Sequence, residues 1–167
     1  MFLTLLFTGC RVSEAIKLRR DQVAINDQAV YIFDAPVLKQ RKDKPRIIQI
    51  PRTNEHKLLT DFVDILLSCN TVYLLPAHQK MTGEVLPLKH TTRSTVYRKI
   101  REIDNSLFPH KMRSWCAGML VEEYALNVFD LQAWFSWVSV DTPAFYAQTK
   151  EKELAKKMGI TDAPKLL

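Results

Sequence analysis

The chemistry this chain can perform is concentrated in a few separated residues. Tyr146 stands late in the chain, in Asp141-Thr142-Pro143-Ala144-Phe145-Tyr146, with Trp137 nine residues before it. His110 and Arg113 lie three apart in Pro109-His110-Lys111-Met112-Arg113, and Arg11 lies in Thr8-Gly9-Cys10-Arg11-Val12-Ser13-Glu14. These types suit attack of a phenol oxygen on a phosphodiester. Charge builds on the non-bridging oxygens in such a reaction, and preorganised guanidiniums, with two parallel donors and a permanent charge, lower the barrier. Nearby cations also stabilise a phenolate and make it a usable nucleophile. The imidazole of His110 can bond the phosphate or help move the phenol proton. The Trp137 indole donates one hydrogen bond but carries no proton. Glu14, three residues after Arg11, is within reach of it on a helical turn, where it would orient an active-site arginine rather than act as a base. Each residue also has a plainer use: surface ion pairs for arginine, an exposed helix position for Glu14, and core packing for Trp137 beside Trp134 and Phe135.

Taken in order, these segments resemble the motifs of the tyrosine recombinases, the phage-type integrases. Thr8 to Glu14 is similar to the family's first arginine box, T-G-x-R-x-S-E, and His110 to Arg113 to its H-x-x-R box. Trp137 takes the position that is His in most members and Trp in some, and Tyr146 the nucleophile position. The resemblance implies catalytic roles for Arg11, His110, Arg113, Trp137 and Tyr146, a 3′-phosphotyrosyl intermediate with release of a 5′-hydroxyl, and rejoining without ATP or another cofactor. It also implies a hairpin lysine as the acid that protonates the departing oxygen. Lys39 is the first candidate, Lys42 the alternative, and Lys44 lies in the same segment. Lys39, Arg41, Lys42, Lys44 and Lys111 are expected to contact DNA. Two departures stand out: Ser114 follows Arg113 where a second histidine is common, and Trp134-Phe135-Ser136-Trp137 replaces the usual Leu-Gly-His.

Composition agrees with a polyanionic partner. Lys plus Arg outnumber Asp plus Glu by 24 to 18, a net charge of +6, and 47% of the residues are hydrophobic, enough for a real core. Cys10, Cys69 and Cys116 are an odd number without C-x-x-C spacing, which argues against a disulfide framework or zinc site and for a reducing, cytoplasmic setting. No Gly-rich phosphate loop and no carboxylate cluster suggest a kinase or a metal nuclease. The apolar start, Met1 to Phe7, is too short for a signal-peptide core or a membrane span, so no secretion and no membrane partner is expected.

Several elements must position the set. Residues 1–18 read as helix broken near Gly9, with Ser13 starting the second piece. Val30 to Phe33 and Arg46 to Ile50 read as strands of one hairpin around the basic segment 39–45. Residues 54–69 have helical apolar spacing, and Thr92 to Ile103 and Lys111 to Tyr124 are further helices. Asp130 is placed to cap a helix ending near Ser136. Thr142 and Pro143 read as N-cap and first helical position, with Tyr146 in the first turn and the charged stretch 150–157 continuing the helix. The fold expected is mainly α with a small antiparallel β-sheet, that of a tyrosine recombinase catalytic domain. All of residues 1–167 would form a single catalytic domain, with the family's N-terminal DNA-clamping domain and first catalytic-domain helix absent from this chain.

The activity expected is that of a site-specific DNA strand-transferase acting on double-stranded DNA, a monomer alone and a tetramer on full sites, with the segment after Tyr146 docking on a neighbouring protomer. Two alternatives stay open: a type IB topoisomerase-like relaxing enzyme, which uses the same residue set, and a non-catalytic DNA-binding remnant.

Overall fold

The computed structural model describes residues 1–37, 45–52 and 57–148. The chain divides into two compact units, Met1–Cys116 and Ala117–Leu167.

The first unit opens with helix α1 (Phe2–Thr8) and the short helix α2 (Val12–Ala15). They are separated by Gly9, whose φ of 56° lies in the left-handed region that glycine enters without penalty. The second piece starts at Val12, one residue before Ser13. Arg11 is the residue before the helix, and its backbone N–H donates to Glu14 Oε2 at 2.9 Å. A three-stranded antiparallel sheet follows in the order β1 (Val23–Ile25), β2 (Ala29–Ala35), β3 (Arg46–Pro51). The expected hairpin pair is therefore present, with β1 added at its edge. On β3 the inward face holds Arg46, Ile48 and Ile50, all buried, while Ile47 and Gln49 are exposed, the alternation a half-buried strand requires. The β2–β3 register slips by a bulge between Ile32 and Ala35, where Asp34 has φ 51°, so that Ala35 rather than Asp34 pairs with Arg46.

Helix α3 (Lys57–Ser68) turns Leu59, Phe62, Val63 and Leu66 inward, and the Phe62 ring stacks on Phe7 with centroids 5.3 Å apart. A second sheet, β4 (Pro76–His78) paired with β5 (Val85–His90), was not expected from the sequence. Pro87 within β5 argues against a strand, and β5 is almost wholly exposed, so it lacks the apolar alternation that marks one. Helix α4 (Arg93–Ile103) begins at Thr92, whose hydroxyl accepts from the Thr95 N–H, as the sequence implied. Helix α5 (Pro109–Tyr124) begins two residues before Lys111, so His110 stands in its first turn rather than ahead of it.

In the second unit, helix α6 (Val128–Phe135) is capped by Asn127, not Asp130. The Asn127 side chain accepts from the N–H groups of Phe129 and Asp130, and the Asp130 carboxylate accepts in return from the Asn127 N–H. Asp130 is thus the third helical residue of a reciprocal capping box. The helix ends with Ser136 at φ 51°, and Trp137 N–H donates back to Gln132 O at 3.0 Å, a Schellman closure. Helix α7 (Asp141–Gln148) starts one residue before Thr142, with the Ser139 hydroxyl accepting from the Asp141 N–H. Pro143 still falls within the first three positions, where its missing N–H has no intrahelical partner to lose. Tyr146 moves from the expected first turn to the second. The expected helix over 150–157 lies outside the described residues. Among those residues no helix is long and apolar enough to cross a membrane.

Candidate active site

The first arginine box builds its own geometry. The buried Thr8 hydroxyl donates to Thr4 O and accepts from the Cys10 N–H, which ends α1 and starts the turn at Gly9. Arg11 then leaves the turn, and Glu14 returns to meet it. The Glu14 carboxylate is only 2% exposed, and Oε1 accepts from Arg11 Nη1 at 3.0 Å while Oε2 accepts from the Arg11 backbone. The three-residue separation of Arg11 and Glu14 does bring the two side chains together.

Arg113 reaches the same carboxylate from α5. Its Nη1 lies 3.9 Å from Glu14 Oε2, and its side chain is 3% exposed. The same nitrogen donates a short hydrogen bond to the carbonyl of Gly9. Residues more than a hundred positions apart are thereby joined: the two arginines proposed from separate motifs share one buried carboxylate. Burial, then the charges of Arg46 and Arg11, push the Arg113 guanidinium down to about 10, with Glu14 acting in the opposite sense. A cation held under that strain gains from any anion that comes to it.

His110 is exposed on the first turn of α5, one turn before Arg113. Lys111 is half-buried, and its ammonium lies 5.5 Å from the centre of the Trp115 ring. In the second unit, Trp137 follows the Schellman closure at Ser136. Its indole stacks on Phe135 at 4.4 Å and on Tyr146 at 5.9 Å with the ring planes 3° apart. The nucleophile candidate is therefore held flat against the indole, half-buried, while Phe145 beside it is 70% exposed. Lys39, Arg41, Lys42 and Lys44 lie outside the described residues.

Sequence reasoning passed over two features. Arg46 is buried on the inward face of β3, with Nη2 at 3.3 Å from Cys10 Sγ and 3.5 Å from Thr8 O. Its strand parity, two residues before Ile48 and four before Ile50, was the signal. Helix α4 carries Tyr97, Arg98 and Arg101 along an open groove with Ser94, Glu102 and Asn105. Arg98 and Lys99 there flank Glu102, at 3.8 and 2.8 Å. Of the thiols, Cys116 is pushed up to about 12 by burial and is chemically quiet. Among the described residues no group of three or more His, Cys, Asp or Glu side chains is placed to hold a metal ion.

Solved structures similar to this chain include two recombinases and a transposon integrase. A XerH recombinase bound to palindromic difH substrate, in a post-cleavage complex, matches 95% of this chain at 18% identity and a TM-score of 0.62, using 44% of its own length. XerA recombinase matches 98% of this chain at 24% identity with a TM-score of 0.62, over 55% of its length. The Tn1549 transposon integrase, in complex with transposon right-end DNA, matches 95% at 14% identity and 0.58, over 57% of its length. The chain thus spans about half of each. No curated protein sequence matches it significantly. The mainly helical fold with small antiparallel sheets is that of the tyrosine recombinase catalytic domain. The family model described as "Phage integrase family" matches residues 1–153 of the 167, and on that match the chain belongs to the phage integrase family.

Proposed function

We propose that this chain is the catalytic domain of a site-specific DNA recombinase that cuts and rejoins double-stranded DNA through a 3′-phosphotyrosyl link to Tyr146. The observation that carries the reading is the Arg11–Glu14–Arg113 arrangement. Two guanidiniums from distant motifs meet at one buried carboxylate, at 3.0 and 3.9 Å. Such a pair is oriented before substrate arrives, which is the condition for charge stabilisation without reorganisation. Family membership and the recombinase fold of the neighbours support the same reading.

The Tyr146 oxygen attacks the phosphorus, and the bond from phosphorus to the 5′-oxygen breaks. The phenol proton leaves through His110 or solvent. The departing 5′-oxygen takes a proton from an acid on the hairpin, Lys39 or in its place Lys42. Arg11 and Arg113 hold the non-bridging oxygens throughout, and Trp137 fixes the plane of the attacking ring. Rejoining runs the same steps backwards, with a 5′-hydroxyl as nucleophile and Tyr146 as leaving group, so the phosphodiester energy is conserved. The guanidiniums supply the positive charge that two-metal enzymes take from magnesium. Lys111 and the basic segment 39–44 contact backbone phosphates. The active assembly on paired sites is a tetramer, formed through the segment after Tyr146.

The test is incubation with nicked duplexes carrying candidate sites, followed by a denaturing gel. The wild-type chain forms a covalent DNA adduct, and Tyr146→Phe binds DNA without forming one. An adduct that survives in Tyr146→Phe, or that maps to Tyr124, overturns the assignment. Processive relaxation of supercoiled plasmid by a monomer, without site preference, would favour the topoisomerase-like reading instead.

A further inference from the structure

Arg46 has an unusual address for an arginine. It occupies the inward register of β3 with Ile48 and Ile50 and is 7% exposed. A guanidinium is expensive to bury, so its contacts must be specific ones. Two of them reach a single turn: Nη2 donates to Thr8 O at 3.5 Å and to Cys10 Sγ at 3.3 Å. The residue between those two, Gly9, gives its carbonyl to Arg113. Every residue of the Thr8–Gly9–Cys10 turn is therefore bonded to a guanidinium from another element, β3 or α5. The next residue is Arg11. The bulge in β2 belongs to the same arrangement, because it sets buried Ala35, with a small side chain, opposite Arg46.

We propose that Arg46 is a positioning residue for the phosphate clamp: it anchors the Thr8–Cys10 turn to the start of β3 and thereby sets where the Arg11 guanidinium stands. This rests on the recombinase reading, in which Arg11 holds the scissile phosphate. Arg46 does not need to touch the phosphate. Its effect passes through the backbone that carries Arg11, and a displacement of a few tenths of an ångström to one ångström there is enough to loosen a bidentate contact. After burial, the Arg46 charge is the main influence holding the Arg113 pKa down.

A double-mutant cycle separates positioning from general support of the fold. The 167-residue chain, Arg46→Met, Arg11→Ala and the double variant are titrated with inorganic phosphate, read at the arginine Nε–H resonances of Arg11 and Arg113 and, in Arg11→Ala, at Arg113 alone. Melting curves accompany each. The expected result is a loss of about tenfold in phosphate affinity for Arg46→Met, and less than about twofold for the same change in the Arg11→Ala background. Arg46→Lys, which keeps a donor able to reach the turn, recovers part of the loss and serves in the cycle if Arg46→Met does not fold. Additive losses, or Arg46 variants that bind phosphate like the wild type, overturn the inference and leave the functional reading standing. A wild-type chain whose Arg11 and Arg113 resonances ignore phosphate removes both.

Discussion

Removing the Glu14 carboxylate is the sharpest perturbation the site allows. Its side chain is 2% exposed, and its two oxygens serve the Arg11 side chain, the Arg11 backbone and Arg113. At 3.9 Å and an effective dielectric of about 20, the attraction to Arg113 alone is about 4 kcal/mol. Arg11 is 28% exposed, so solvent discounts its share. What decides the outcome is Arg113, 3% exposed, which the variant leaves with a buried charge deprived of that carboxylate. Breaking a buried pair in this way costs about 3–5 kcal/mol, whereas a surface pair would cost about 0–1. Glu14→Ala is therefore expected to lose about 3–5 kcal/mol in urea denaturation and roughly 10 °C in Tm. Glu14→Gln keeps an amide oxygen for the Arg11 N–H and is expected to recover about 1 kcal/mol of that loss. In both variants the Arg113 guanidinium loses the neighbouring charge that favours its protonated form most, and its proton is held less tightly still. A Glu14→Ala chain destabilised by less than about 1 kcal/mol would show that the carboxylate does not hold the pair, and the preorganisation argument would fall with it.

Arg11→Ala and Arg113→Ala are each expected to slow adduct formation by about a hundredfold or more, and lysine at either position restores only part, because the fork is lost; near-wild-type rates in single-turnover gels would place the clamp elsewhere. The Arg113 guanidinium, pushed down to about 10 chiefly by burial, carries its burial penalty in full below that pH and sheds it as pH rises above it, so this group's contribution to stability improves with pH there while its charge, and the proposed phosphate binding with it, is lost. A ¹³Cζ titration of Arg113 with a midpoint near 10, moved upward by inorganic phosphate, is the expected signature, and a guanidinium still charged at pH 11 contradicts it. On DNA whose bridging 5′-oxygen is replaced by sulfur, Lys39→Ala is expected to regain cleavage; rescue of Lys42→Ala in its place moves the acid to Lys42.

Much of this arrangement was legible in the sequence because its chemistry is spelled in residue types at short, fixed separations. Arg11 and Glu14 lie three apart, a separation that lets the two side chains meet at a helix start whatever the rest of the fold does. Helix α3 was legible from the recurrence of Leu59, Phe62, Val63 and Leu66. Helix starts were misplaced by one to three residues for a physical reason. In Asn127-Val128-Phe129-Asp130 both polar ends belong to one reciprocal box, and from the sequence either end fits the cap. The β4–β5 pair was hidden because it buries little and contains Pro87. Arg46 was hidden by the opposite default, that arginine belongs on the surface, even though strand parity placed it inside.

The first arginine box is usually read as a catalytic residue with neighbours, but its geometry here is that of a small folding unit. Helix α2 has only four residues, far fewer than a helix needs to stand by itself. Its start is fixed by the Glu14 carboxylate on the Arg11 N–H, and its approach by Gly9 at φ 56°, where any side chain would cost about 1–2 kcal/mol. Thr8 closes α1 by bonding back to Thr4, and Arg46 and Arg113 bind Thr8, Gly9 and Cys10 at the end of α1 and in the turn after it. Each consensus position T-G-x-R-x-S-E that the structure explains is therefore explained by where it sends the chain, except Arg11 itself, whose guanidinium is the product of the arrangement. A phosphate clamp built this way is as rigid as the turn beneath it. Changes at Thr8, Gly9 or Glu14 should then reach the chemistry through the position of Arg11, without any of those residues touching the phosphate.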